Sequence, residues 1–146
     1  TPEDVITARD SLEYWQGEGY AVARGDAVAV RADRRIEADV LVARFKEGAD
    51  GLAVSRMEAT GGVRIATPGE VALGREGVYN VETEIATLTG DVRITRGDNQ
   101  LNGETAEVNL KTGVSRLLGQ GEGNQRTQVR GLFVPEDAQS DGPRSE

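Results

Sequence analysis

The chain has 146 residues, which is enough for one domain with a core of its own. Its 17 basic and 25 acidic residues give a net charge of −8, which argues against the basic face that nucleic-acid binding requires. Cysteine and histidine are both absent, so disulfides, zinc–thiolate sites, cysteine nucleophiles and histidine bases are excluded. No apolar run approaches the roughly 20 residues of a membrane helix. We expect neither a metal nor another cofactor.

Alternation of apolar and polar residues predicts β-strands along most of the chain. Even-numbered residues between 28 and 42 are mostly apolar, whereas odd-numbered residues between 31 and 39 are mostly charged. Successive side chains of a strand point to opposite faces, so each apolar set is expected to line one buried face. The alternation returns in later runs that begin at Val63, Val71, Val92 and Ala106. Glycine-rich turns separate these runs, and the fold is therefore predicted to be all-β.

An internal repeat accompanies the strands. The segment 90–95 (Gly-Asp-Val-Arg-Ile-Thr) closely copies the segment 61–66 (Gly-Gly-Val-Arg-Ile-Ala), and 25–30 is a looser third copy. Thirteen residues after the leading glycines stand Ala38, Gly74 and Gly103, each followed by another alternating run. Such a repeat predicts a stack of similar strand pairs, none of which can bury its apolar face alone.

Three segments carry a resemblance to a known family. The run Gly90–Thr95, continued by Leu101–Val108, resembles the OstA-like repeat of the lipopolysaccharide-transport proteins. The opening Ile6–Tyr14 and the closing Val129–Pro135 are similar to the beginning and the end of such chains. Because the resemblance covers roughly Val5 to Pro135, the chain is identified as a member of the LptA/OstA-like lipopolysaccharide-transport family.

The resemblance implies a V-shaped antiparallel β-jellyroll, or β-taco, with about 16 short strands. We assign the domain to residues 1–135, and the polar composition of residues 136–146 predicts a disordered tail. The implied function is periplasmic and non-enzymatic. Lipid A acyl chains would lie in an apolar groove, and copies would join end to end through exposed terminal strands.

The implied partners are lipopolysaccharide, an LptC-like inner-membrane component and an LptD-like outer-membrane component. The chain's length and the lack of an anchor helix favour the bridge protein of this pathway, and an LptC-like periplasmic domain remains the alternative. The groove is expected to be lined by apolar side chains of the alternating runs: Val28, Val30, Ile36, Val40, Val63, Ile65, Leu73, Val92, Ile94, Leu101 and Val108.

Other interpretations of the same residues stay open at this point. Alternating valine and isoleucine also build ordinary sandwich cores, so a polymerising β scaffold that binds no lipid would show the same stripes. The acidic pairs Glu37/Asp39 and Glu104/Glu107 could serve a polysaccharide hydrolase, although the chain has few aromatic residues for sugar platforms. The arginines at 34, 35, 93 and 96 either meet lipid phosphates or balance the many surface acids.

Overall fold

The computed structural model describes residues 4–49, 51–119 and 129–133, which form ten strands of one antiparallel sheet. The strands are β1 (Asp4–Thr7), β2 (Ser11–Trp15), β3 (Tyr20–Arg31), β4 (Arg34–Gly48), β5 (Gly51–Thr67), β6 (Glu70–Asn80), β7 (Ile85–Arg96), β8 (Asn99–Asn109), β9 (Val114–Leu118) and β10 (Arg130–Leu132). Within these ranges no helix is long and apolar enough to cross a membrane. The prediction of an all-β fold is confirmed.

The six long strands β3 to β8 form a simple meander in which each strand pairs with the next. Both edges of the sheet consist of two short strands that share one long neighbour. At the first edge, β1 and β2 pair with opposite ends of β3, and at the last edge β10 and β9 pair with opposite ends of β8. We call these the N-terminal edge and the C-terminal edge.

A line of β-bulges crosses every pair of adjacent long strands. On β3, β5 and β7 the bulge contains two consecutive residues with positive φ, namely Gly25-Asp26, Gly61-Gly62 and Gly90-Asp91. Bulges bend a strand and increase its local twist. Side chains from both sides of this line meet in one core, so the sheet is folded along it into two layers. We call the line the crease.

Glycine is required at the crease for two reasons. Gly61 has a φ of 88°, and an added Cβ would lie 2.6 Å from Asp39 Oδ2 on the preceding strand. Gly90 has a φ of 94°, and its Cβ would lie 2.6 Å from Arg75 Nε. A side chain at either position would combine backbone strain with a steric clash. Each copy of the sequence repeat therefore begins at the glycine where a strand crosses the crease.

The crease divides the sheet into two layers of eight strands each. Layer A contains residues 4–7, 27–38, 63–74, 92–103 and 130–132, and layer B contains 11–24, 40–60, 76–89, 105–109 and 114–118. When each of the six long strands is counted as two halves, the total with the four short strands is sixteen. The described residues thus form ten continuous strands where about 16 were expected, because six of the strands pass through both layers. The whole of the predicted tail, 136–146, and the domain limit at 135 lie outside the described residues.

Large and small side chains alternate in the row of layer B next to the crease. Cross-strand register places the following residues side by side: Leu12, Ala23, Leu41, Ala59, Gly77, Leu88, Ala106 and Leu117. Leu88 is fully buried, and a Cβ on Gly77 would lie 2.9 Å from its Cδ2 atom. The side chain of Leu88 therefore packs in the space that a side chain at position 77 would occupy. Burying a leucine contributes about 1.5–3 kcal/mol, so this row is a main source of stability.

Candidate functional site

The inner faces of the two layers form an apolar slot that opens away from the crease. In layer A, a continuous cross-strand row contains Ile6, Ala29, Ile36, Ile65, Ala72, Ile94 and Leu101. In layer B, the corresponding row contains Tyr14, Ala21, Ala43, Met57, Tyr79, Ala86, Val108 and Ser115. Among the described residues, every buried side chain of the core is hydrophobic.

The slot is open at its N-terminal end. Leu12, Tyr14 and Leu52 point into it but remain 55%, 54% and 52% exposed, because no other strand in the described part of the chain covers this end. They line a cavity of about 820 Å³ together with Ile6 and Phe45. Towards the C-terminal end the cavities shrink to about 220 and 190 Å³. Small-molecule sites typically measure 300–1,000 Å³, so the N-terminal end has the size of a ligand site.

A polar row borders the slot at the open margin of layer A, which we call the mouth. It lies one inward-facing position beyond the apolar row and contains Asp4, Arg31, Arg34, Thr67, Glu70, Arg96 and Asn99. Arg31 pairs with Asp4 at 3.5 Å. Arg96 donates to Glu70 Oε1 through Nε and Nη2 at 3.2 and 2.7 Å. The slot is therefore apolar inside and charged at its mouth.

Arg34 connects the two layers across the mouth. Its guanidinium lies at the start of β4 in layer A, and its partners all belong to the layer B side. Arg34 Nη1 donates to the Tyr79 hydroxyl at 3.2 Å and lies 2.5 Å from Glu84 Oε1. Nη2 donates to the carbonyl oxygen of Leu110 at 3.4 Å. This clasp links the two layers at the middle of the mouth.

Electrostatics within the clasp follow from its partial burial. Burial raises the pKa of the Tyr79 hydroxyl above its ordinary value of 10.0, and the neighbouring Arg34 opposes this rise. Burial acts to lower the pKa of Arg34, but hydrogen bonds to Glu84 and Tyr79 outweigh it and raise the pKa. The phenol therefore stays neutral and the guanidinium stays charged over the physiological range.

Seven predicted groove residues do face the interior of the slot. Near the crease lie Val63 and Val92, and farther out lie Ile36, Ile65, Ile94, Leu101 and Val108. All except Leu101 are buried, and Leu101 is partly buried against the same core. The structure thus brings them together on one surface, and their contact with lipid stays a prediction.

The prediction is wrong for the other four, which point to the outer face. Val28 and Val30 pair with Glu37 and Arg35, because the two-residue turn between β3 and β4 reverses which parity faces inward. Val40 points outward because the bulge at Asp39 shifts the alternation by one residue, so that Leu41 faces inward instead.

Leu73 is the fourth residue with the wrong predicted face. It stands between Arg64 and Arg93 on the outer face of layer A and is 39% exposed. Its inward-facing neighbours on β6 are Ala72 and Gly74, which are smaller. The alternation that places Tyr79 inward predicts the same face for Leu73, but the register shift between Leu73 and Glu76 changes the parity, so Ala72 faces inward instead.

Several other inward-facing residues were not among the predicted groove residues. Ala29 and Ala43 are both buried. Met57 and Tyr79 belong to the same row as Ala43. The sequence signal for the interrupted alternation is the glycine that begins each positive-φ pair, at positions 25, 61 and 90.

Of the remaining candidate residues, Arg34 and Arg96 lie at the mouth of the slot. Glu37 contacts Arg35 and Arg64 on the outer face, and Glu104 contacts Arg75 at 3.6 Å. Arg93 also points outward, opposite Leu73. Glu37 and Glu104, one from each acidic pair, are therefore engaged in ion pairs outside the slot.

Comparison with known proteins agrees with this geometry. Residues 6–114 match the family model described as LptA/(LptD N-terminal domain) LPS transport protein. No curated protein sequence matches the chain significantly. Among solved structures, the chain is similar to LptH from Pseudomonas aeruginosa, described as the LptA homologous periplasmic component of the conserved lipopolysaccharide transport device. The TM-score is 0.77 and the identity 19%, over 91% of this chain and 96% of that one. The chain belongs to the LptA/LptD N-terminal family of lipopolysaccharide-transport proteins.

Proposed function

We propose that the chain is a periplasmic carrier that shields the acyl chains of lipid A in the slot and joins other components end to end. The observation that carries the proposal is the open N-terminal end, where inward-facing apolar residues stay exposed around a cavity of about 820 Å³. Each methylene buried there contributes about 0.8 kcal/mol, so a few acyl chains supply substantial affinity. No catalytic step is part of the proposal.

The polar mouth supports an amphiphilic ligand. An acyl chain against Ile36 or Ile65 lies one inward-facing position from Arg34 or Thr67, a distance of about 7 Å along the strand. A lipid bound this way keeps its chains between the layers and its head in water. A fully packed sandwich core would offer neither the opening nor this change from apolar to charged side chains.

The two edges support end-to-end assembly. Each layer has eight antiparallel strands, so its first and last strands run in opposite directions. A second copy translated along the sheet would therefore place β1 antiparallel to β10 and β2 antiparallel to β9. Unpaired backbone groups on edge strands are a ready template for such addition.

Side chains at the edges are complementary as well. The strands of the N-terminal edge contain Asp4 and Glu13 and no basic residue, whereas those of the C-terminal edge contain Arg116 and Arg130 and no acidic one. Exposed apolar residues lie at both edges: Val5, Leu12, Tyr14, Trp15, Val114, Leu118 and Leu132. This pattern favours head-to-tail contact over contact between two like edges, and it suits related LptC-like and LptD-like partners.

Photo-crosslinking at neighbouring positions tests the lipid part of the proposal. Tyr14 faces the slot and Trp15 faces outward, yet both are aromatic and about half exposed. We expect p-benzoylphenylalanine at position 14 to capture lipopolysaccharide and the same residue at position 15 to capture little. Equal capture at both positions, or none at either by a folded protein, would contradict the slot as the lipid site.

A charge exchange tests the assembly part. Arg116→Glu and Glu13→Arg should each weaken self-association, because each places like charges at the junction of β9 and β2. A mixture of the two variants should restore it, since opposite charges meet at both kinds of junction. Sedimentation velocity at low salt gives the measurement. Lipid binding by a chain that never self-associates would favour the LptC-like alternative, and filaments without lipid binding would favour the scaffold.

A further inference from the structure

Two arginines stand directly opposite each other at the mouth of the slot. Arg31 and Arg34 are register partners on the β3–β4 hairpin, and both belong to the inward-facing row of layer A. Like charges directly opposite in an antiparallel pair are destabilising. Their side chains are about one-third exposed, so both guanidinium groups lie at the border between the slot and water.

Each arginine of this pair has a carboxylate partner. Arg31 Nε lies 3.5 Å from Asp4 Oδ1, which is a long contact for an ion pair. Arg34 is held by Glu84 and Tyr79 on the opposite layer. Arg31, Arg34 and Tyr79 line the same cavity at the mouth, and both arginines act to lower the pKa of the Tyr79 hydroxyl.

A third arginine continues the row towards the C-terminal end. Arg96 lines a cavity of about 220 Å³ that Arg34 also lines, and Arg31 and Arg34 together line the neighbouring cavity of about 710 Å³. A guanidinium presents a planar fork of donors that matches the oxygens of a phosphate group. The arginines therefore flank the place where the head of a bound lipid emerges.

We propose that Arg31 and Arg34 bind a phosphate group on the head of the lipid whose acyl chains occupy the slot. This inference rests on the proposed function and adds the chemistry of the headgroup. The apolar row lies one inward-facing step deeper, with Ile36 two residues from Arg34, so chains and phosphate are contacted by the same strand. The phosphate replaces Glu84 as the partner of Arg34, which opens the clasp as the lipid enters.

Because the net charge is −8, a preference for a phosphorylated lipid has to come from local contacts. A protein with this charge does not attract anions over long distances, so any preference for a phosphorylated lipid requires a specific contact. The outward-facing Arg93 provides a matched control, because it lies three residues from Arg96 on β7 and opposite Leu73 on the outer face.

The test compares two lipids that differ only in their phosphate groups. Diphosphorylated lipid A and the same lipid A with both phosphates removed are titrated against the wild-type chain, Arg31→Gln, Arg34→Gln and Arg93→Gln. We expect the wild type to prefer the diphosphorylated form about tenfold, as the loss of a charged hydrogen bond predicts. Arg31→Gln and Arg34→Gln should lose most of that preference, and Arg93→Gln should keep it.

Two further arms identify the source of the effect. Glu84→Gln should strengthen the preference for the diphosphorylated lipid, because it removes the carboxylate that competes for Arg34. Inorganic phosphate at equal concentration should compete poorly, since it lacks the chains that place the group at the mouth. Unchanged affinity of the arginine variants for the less phosphorylated lipid would confirm that the slot is still folded.

The outcomes separate this inference from the proposed function. Equal affinity of the wild type for both lipids overturns the phosphate site and leaves the slot intact. A preference that survives both arginine substitutions, or that Arg93→Gln abolishes equally, also overturns it. Binding of neither lipid overturns the proposed function and the phosphate site together.

Discussion

The crease and the mouth are built from the same strands but differ in how they hold the two layers together. At the crease, Leu41, Leu88, Val63 and Val92 are almost completely buried, and the layers are joined by close apolar packing. At the mouth, the main link is Arg34 with its partially exposed partners. Dense packing tolerates little change, whereas a few polar contacts can open. The fold thus places its densest apolar packing at one margin and its polar, partly exposed contacts at the other.

Truncation at the crease is expected to have the largest effect on stability. Leu88→Ala removes a fully buried side chain and leaves a cavity between the layers, so we expect a loss of about 2–5 kcal/mol in the free energy of unfolding. Urea denaturation followed by circular dichroism gives the measurement. As a control, Leu73→Ala on the outer face should cost less than about 1 kcal/mol. Equal losses would mean that the crease is not the centre of stability.

Backbone strain at the crease is expected to have the second-largest effect on stability. Gly61→Ala places a Cβ 2.6 Å from Asp39 Oδ2 in a left-handed conformation, and we expect a loss of about 1–3 kcal/mol. Gly69→Ala, in the hairpin between β5 and β6 where a Cβ would have open space, is the matched control. If both substitutions left the midpoint of denaturation unchanged, the requirement for glycine at the bulge would be refuted.

The clasp at the mouth should contribute less. Tyr79→Phe removes the hydroxyl that accepts a hydrogen bond from Arg34 while it keeps the buried ring, so we expect a loss of about 0.5–1.5 kcal/mol. Spin labels on cysteines at positions 33 and 83, one on each side of the mouth, would report its width, and the chain has no native cysteine to interfere. A wider distance distribution is expected in Tyr79→Phe. An unchanged distribution would show that the clasp does not set the width.

Alkaline pH should produce the smallest and most specific effect. Because the pKa of Tyr79 is raised in the folded state, the unfolded chain loses this proton first as the pH rises above about 10. The folded state is therefore destabilised above that pH and unaffected below it. The difference in unfolding free energy between wild type and Tyr79→Phe should shrink between about pH 9 and about pH 11. A constant difference would mean that the hydroxyl does not titrate as proposed.

The difference between the crease and the mouth also explains which features of the structure could be predicted from the sequence. Alternation and turn residues were enough for the all-β fold, because both depend on local backbone geometry. The repeat indicated the correct period, and the family resemblance supplied the V shape. Seven of the eleven groove residues face inward, and these include Ile36, Ile65 and Ile94.

The four errors arise where parity is not a local property. A two-residue turn at Ala32-Asp33, the bulge at Asp39 and the register shift between Leu73 and Glu76 each change which residues face inward, and none of them leaves a hydrophobic signal. The clasp could not be predicted from the sequence for a different reason. Arg34 and Glu84 are 50 positions apart, and only the folding of the sheet along the crease brings them within 2.5 Å.

The most direct test of the central claim introduces the same charge on the two faces of the sheet. Leu12 faces the open end of the slot and Leu73 faces outward, and both are exposed enough to accept a glutamate without loss of the fold. Equilibrium binding of lipopolysaccharide should fall by about tenfold or more in Leu12→Glu and remain at the wild-type level in Leu73→Glu. Equal affinity of the two variants would contradict the slot as the place where acyl chains bind.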